Sequence, residues 1–180
     1  MTKKLTVTGV MLALATILSM IRLFDAPYGG SVTLCSMLPV IVPGLLYGMR
    51  WGILTGTVYA VLNMLLTGIP APPVASVGAY ILVVLLDYVL AFGGLGLAGG
   101  IFRLLPRKPF SIPVSVGAAI LLRFLCHFLS GIIIWRTYAG EGQSAVVYSL
   151  LYNGSYMLFE LLITVALSGC IARWLMQEKR

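Results

Sequence analysis

Asp87, Arg123 and Glu160 each stand inside a long apolar stretch of the chain. An isolated charge at the centre of a bilayer costs roughly 2.5–3.5 kcal/mol even on lenient insertion scales, so three of them require a reason. The chemistry open to them is electrostatic: they face inward, pair in part, and mark a pocket or path for a polar solute. Two negative groups against one positive leave a net negative charge within the membrane, which is a place for a cation. Residues four apart share a helix face, and two such lines accompany the charges. One is Arg123, His127, Gly131 and Trp135; the other is Tyr148, Tyr152, Tyr156 and Glu160. At about 1.5 Å per residue, Arg123 lies roughly 18 Å inward of Trp135, Glu160 roughly 18 Å inward of Tyr148, and Asp87 about 15 Å inward from the outer end of its own stretch. A single charged layer follows. Arg123 is expected between the two carboxylates, its fork satisfying one and steering the other.

Above that layer the sequence places His127, Trp135, Tyr138, Tyr148, Asn153 and Tyr88, a cup with a charged floor and aromatic walls. Trp and Tyr faces attract a cation by up to about 2 kcal/mol when desolvated. Asn153 offers both donors and acceptors to a heteroaromatic edge. Each residue also has a plainer role: Trp and Tyr as interfacial anchors, His127 as a helix–helix hydrogen bond, the charges as a structural pin. Their common depth and facing favour the pocket.

The elements that must position these groups are membrane helices. The chain has 180 residues, 60% hydrophobic and 9% charged, with mean hydropathy +1.04, against about 25% charged residues in a soluble domain. An all-α integral membrane protein of one domain, residues 1–180, is expected. Six apolar segments can be cut at polar or Gly/Pro punctuation: Leu5–Phe24, Val32–Gly48, Trp51–Leu66, Val77–Phe102, Ile112–Trp135 and Ala145–Leu175. They predict a compact bundle of six transmembrane helices, the second kinked or unwound by Pro39 and Pro43. The first segment lacks a small-residue cleavage site and reads as a retained helix. Lys3, Lys4, Arg50, Arg103, Arg107, Lys108, Arg173, Lys179 and Arg180 fall on one side, Arg22 and Arg136 on the other. That asymmetry puts both termini in the cytoplasm. The outer connections are then Asp25–Ser31, Thr67–Ser76 and Arg136–Ser144.

Several classes are disfavoured. The formal charge of +7 is dispersed between apolar runs and forms no patch for nucleic acid. Cys35, Cys126 and Cys170 have neither metal-like spacing nor a disulfide framework. No metal, cofactor or catalytic residue is predicted: a lipid-modifying membrane enzyme needs clustered carboxylates, a nucleophile–base pair or a His-rich motif, and the chain has one His. A structural membrane adaptor would need no aromatic cup. The chain shows no internal repeat, and no G-x-x-x-x-G-K-[ST] loop with which to use ATP. Gly9-x-x-x-Ala13 on the first segment lets another helix approach closely, either within the bundle or from a second subunit.

The run His127-Phe-Leu-Ser-Gly-Ile-Ile-Ile-Trp135, then Tyr138-Ala139 and Ala145-Val-Val-Tyr148-Ser-Leu-Leu-Tyr-Asn153-Gly154, resembles the thiamine-specific substrate-binding subunits (S-components) of energy-coupling factor (ECF) vitamin transporters. Pro27-Tyr-Gly-Gly-Ser-Val32 resembles that family's first outer loop, and Asp87-Tyr88 its carboxylate–tyrosine pair. The likeness extends over nearly the whole chain. It implies a six-helix bundle in the bacterial plasma membrane that captures thiamine from outside. The partners implied are membrane lipid, a coupling transmembrane subunit and two cytoplasmic ATPase subunits. Pocket positions carry over to Asp87, Tyr88, His127, Gly131, Trp135, Tyr148 and Asn153, with Arg123 as the basic residue near the carboxylate; Gly9 and Ala13 match the Ala-x-x-x-Ala docking motif. Two departures stand out: Asp87 replaces a Glu, and Gly9 an Ala. Glu160 is an added charge, expected to share Arg123 with Asp87. Tyr28, Gly29, Gly30 and Ser31 are expected to form a mobile lid, since a glycine pair admits unusual backbone angles. Hydroxymethylpyrimidine and riboflavin are the alternative ligands of the same class.

Overall fold

The computed structural model describes residues 1–25 and 30–178. The chain is mostly helical: α1 (Thr2–Met20), α2 (Met37–Tyr47), α3 (Met49–Thr67), α4 (Val77–Val83), α5 (Ala91–Leu95), α6 (Ala98–Leu104), α7 (Ser111–Ile133) and α8 (Ala145–Glu178). A π-helical stretch, Val84–Leu90, joins α4 to α5, so Val77–Leu95 runs as one rod. Among the described residues four helices are long and apolar enough to cross a membrane: Thr2–Met20, Val77–Leu95, Ser111–Ile133 and Ala145–Glu178. Between α1 and α2 lies a short antiparallel hairpin, β1 (Arg22–Asp25) with β2 (Ser31–Thr33).

The hairpin corrects two of the expected segment bounds. Ile21–Phe24 reads as the end of a helix by apolarity, yet α1 stops at Met20 and the chain turns extended, with Arg22 opposite Thr33 and Asp25 opposite Ser31. The second segment begins in strand β2 and becomes helical at Met37. Pro39 falls in the first turn of α2, where a missing N–H costs nothing, and the helix continues through Pro43. The fourth segment is broken at Gly96–Leu97, ahead of α6.

Helix packing around α2 rests on small residues. Gly48 turns the chain from α2 into α3 with φ +101°, a conformation that excludes a side chain at little cost only for Gly. A Cβ on Gly96 would overlap the Gly52–Ile53 backbone of α3. Close backbone approach of this kind is how helices associate where lipid is as apolar as leucine. The core it builds is apolar: Val40, Ile41, Leu95, Ala98, Val116 and Ala119 are fully buried or nearly so. α1 buries Ala15 alone and shows Leu5, Val10 and Ile17 outward, which suits a lipid-facing helix. At the end away from the hairpin, Lys3 Nζ pairs with Glu178 at 2.6 Å and ties the first helix to the last.

Candidate ligand-binding site

A cavity of about 220 Å³ opens at the hairpin end of the bundle. Its floor and inner wall come from α7 and α8, which pack along each other more extensively than any other pair of elements. All four residues of the α7 line, Arg123, His127, Gly131 and Trp135, reach it, as do Tyr148, Tyr152, Tyr156 and Glu160 of α8. Asp87 and Tyr88 enter from the π-helical stretch. A π turn widens the helix locally and occurs often at functional sites; here it presents two successive residues to one cavity.

Asp87 is the hub. His127 Nδ1 lies 3.0 Å from its Oδ1, and its Oδ2 accepts from Ser130 Oγ at 2.7 Å and from Trp135 Nε1 at 3.2 Å. Behind His127, Arg123 Nε donates to Nε2 at 3.2 Å. Arginine has donors and no acceptor, so Nε2 carries the lone pair and Nδ1 carries the proton. The relay therefore has one polarity: Arg123 to His127 to Asp87. The guanidinium also lies over the Phe92 ring, 4.1 Å from its centroid.

The expected bridge of Arg123 between two carboxylates is not formed. Among the described residues no ion pair within 4.0 Å joins Arg123 to Asp87 or to Glu160. The guanidinium is drawn to the imidazole four residues along its own helix and to the Phe92 face. Glu160, 1% exposed, is taken by the hairpin: its Oε1 accepts from the Thr33 backbone N–H at 2.5 Å and from Thr33 Oγ1 at 2.7 Å. The three charges still line one cavity, as their common depth predicts.

Asn153 is held on all sides. Its Nδ2 donates to the His127 carbonyl at 3.2 Å and to Ser149 O and Oγ at 3.1 Å, and its Oδ1 accepts from Tyr156 Oη at 2.7 Å. Gly131 makes room for this arrangement; a Cβ there would meet Ser149 and the Asn153 amide. Trp135 stacks on Tyr138 (centroids 6.0 Å, 13° between planes), and Tyr148 stacks on Tyr152 (5.7 Å, 13°) with both of those rings lining the cavity. Tyr138 thus supports Trp135 from behind and does not line the cavity. Tyr88 Oη donates to the Gly68 carbonyl at 3.1 Å, fixing the connection after α3.

The hairpin closes one side. Gly30 and Ser31 line the cavity, and Gly30 N–H donates to Tyr152 Oη at 2.9 Å. Tyr28 and Gly29 lie outside the described residues. Gly9 and Ala13 are remote from the cavity, on the exposed part of α1, and a Cβ on Gly9 would meet nothing within 4 Å. Sequence reasoning missed the wall built by Met37, Tyr59, Asn63 and Phe92, and the Ser130 hydroxyl on Asp87. Asn63 and Thr67, polar and four apart at the outer end of the third segment, were the available signal.

Known proteins share both sequence and fold with this chain. The family model described as "Thiamine transporter protein" matches residues 5–179. The thiamine transporter ThiT of Bacillus subtilis (strain 168) is 30% identical over 162 residues, covering 83% of this chain and 80% of that protein. The thiamine transporter ThiT of Lacticaseibacillus paracasei is 28% identical over 144 residues, 75% of this chain and 70% of that one. A solved structure of ThiT from Listeria monocytogenes superposes with TM-score 0.70 at 18% identity, covering 95% of this chain and 93% of its own, which shows the same fold. With the family model matching almost end to end, the chain belongs to the thiamine transporter protein family, multi-pass proteins of the bacterial plasma membrane that carry a vitamin and catalyse no reaction.

Proposed function

We propose that the chain is the thiamine-binding membrane subunit of an ECF-type importer. It captures thiamine from outside and delivers it together with a separate coupling transmembrane subunit and two cytoplasmic ATPase subunits. The observation that carries this reading is the cavity itself: a hydrogen-bonded carboxylate, Asp87, set among stacked aromatic rings at one end of an apolar bundle. The aminopyrimidine stacks against Trp135 or its neighbours. Asn153 Oδ1 has a second lone pair for the ring's amino group, and Tyr148 adds a hydroxyl at the wall. Asp87 balances the positive thiazolium. His127 and Arg123 hold Asp87 in place, Gly131 keeps the floor open, and Tyr88 closes the side.

The six helical segments are read as one substrate-binding domain that spans the membrane six times. The Lys/Arg asymmetry puts both termini in the cytoplasm and the hairpin end outside; the Lys3–Glu178 pair at the opposite end supports that arrangement. The segment from Tyr28 to Ser31 serves as lid, and the exposed Gly9 and Ala13 form the docking stripe for the coupling subunit. Tryptophan-fluorescence titration of the purified protein tests the reading, since Trp135 sits in the wall. Thiamine is expected to quench with saturation at or below the micromolar range and to resist competition by hydroxymethylpyrimidine and riboflavin. Absence of quenching at micromolar thiamine, or tighter binding of either competitor, contradicts it.

A further inference from the structure

Resting on the thiamine-binding reading, we propose that Glu160 is a specificity-determining residue that makes the site select a positively charged ligand. Two carboxylates line the cavity, and they differ in what is left to them. Both oxygens of Asp87 are engaged by three donors: His127, Ser130 and Trp135. Glu160 spends only one. Its Oε1 takes both Thr33 donors, while Oε2 is buried and meets no hydrogen-bond partner among the described residues. A buried acceptor left unpaired is costly, and an ionised one more so. A ligand that brings positive charge or an N–H to that wall removes the cost, and a neutral ligand of the same shape does not. Discrimination by leaving a buried polar group unpaired with the wrong ligand is a strong form of selectivity.

The position of Glu160 adds a consequence. The same carboxylate holds Thr33 of β2, whose Oγ1 is in turn 2.7 Å from Ser36 Oγ at the start of α2. One side chain therefore touches both the ligand wall and strand β2. The two contacts can be separated by substitution. Glu160→Gln retains an oxygen that accepts from Thr33 and replaces the unpaired acceptor by an uncharged donor. Thr33→Val removes the hydroxyl donor and leaves the charge.

The experiment compares calorimetric affinities for thiamine and for an analogue in which a neutral ring of the same shape replaces the thiazolium. Wild type, Glu160→Gln and Thr33→Val are measured in detergent, each with a melting curve. Glu160→Gln is expected to weaken thiamine at least tenfold and to leave the neutral analogue within twofold. Thr33→Val is expected to shift both ligands by the same factor, preserving their ratio. Equal losses for both ligands in Glu160→Gln, or no loss for either, overturn the proposal while the thiamine reading stands. A change of ratio in Thr33→Val equal to that in Glu160→Gln also overturns it, because the effect then passes through the strand. Wild-type protein that binds neither ligand refutes the thiamine reading and this inference with it.

Discussion

An Asp87→Asn substitution leaves the size of the side chain unchanged and swaps one acceptor oxygen for an NH2 group. In the wild-type cavity donors converge on Asp87 from two directions, His127 at 3.0 Å on Oδ1 and Ser130 and Trp135 at 2.7 and 3.2 Å on Oδ2. Asn has one acceptor oxygen, so whichever way it turns, its NH2 faces a donor. Turning the His127 tautomer does not help: an Nε2–H would then oppose Arg123 Nε–H, 3.2 Å away. The substitution therefore loses at least one charge-assisted hydrogen bond, worth about 1.5–3 kcal/mol. At 1.4 kcal/mol per tenfold, thiamine affinity is expected to fall roughly 10- to 150-fold, with the lost counter-charge favouring the upper half of that range. Ser130→Ala removes one donor and keeps the carboxylate, for a loss of about fivefold, near 1 kcal/mol. Isothermal titration of the detergent-solubilised variants, with melting curves as a control for folding, makes the comparison. Asp87→Asn protein that binds thiamine within twofold of wild type refutes the relay as the organiser of the site.

Three further outcomes follow from single contacts. Gly131→Ala drives a methyl group into Ser149 and the Asn153 amide; overpacking of this kind costs about 1–3 kcal/mol, so both the melting temperature and thiamine affinity fall, measured by thermal unfolding and titration. Tyr152→Phe removes the acceptor that holds Gly30 N–H at 2.9 Å; at about 1 kcal/mol for the bond, stopped-flow dissociation of thiamine quickens by roughly fivefold with little change in melting. Gly9→Leu places bulk on an exposed face where a Cβ meets nothing within 4 Å; thiamine binding stays within twofold, while co-purification with the coupling subunit is lost.

The residues of the site were legible where helix periodicity alone decides facing. Arg123, His127, Gly131 and Trp135, and likewise Tyr148, Tyr152, Tyr156 and Glu160, are four apart on unbroken helices, and all eight reach one cavity. What those groups bond to was not legible, because partners depend on a few tenths of a turn and on which neighbour arrives first. Arg123 was expected to fork between carboxylates and instead donates to the imidazole on its own helix. Glu160 was expected to share that arginine and is held by Thr33, 127 residues away in sequence. The hairpin was hidden by composition: Ile21–Phe24 is as apolar as the helix before it, so little in that run marks the change from helix to strand. The glycines Gly44, Gly48, Gly52 and Gly56, spaced four apart, were a readable sign of close helix approach across α2 and α3. The π turn at Val84–Leu90 leaves no such sign, since its register is set by packing against α3, α5 and α7.

A structure of the protein with thiamine bound decides whether this cavity is where the vitamin sits. The ligand is expected in the cavity between the hairpin and α5, α7 and α8, with its pyrimidine against Trp135 or its neighbours and its thiazolium near a carboxylate. Thiamine found in another part of the bundle, or in this cavity with its charged ring turned away from both Asp87 and Glu160, contradicts it.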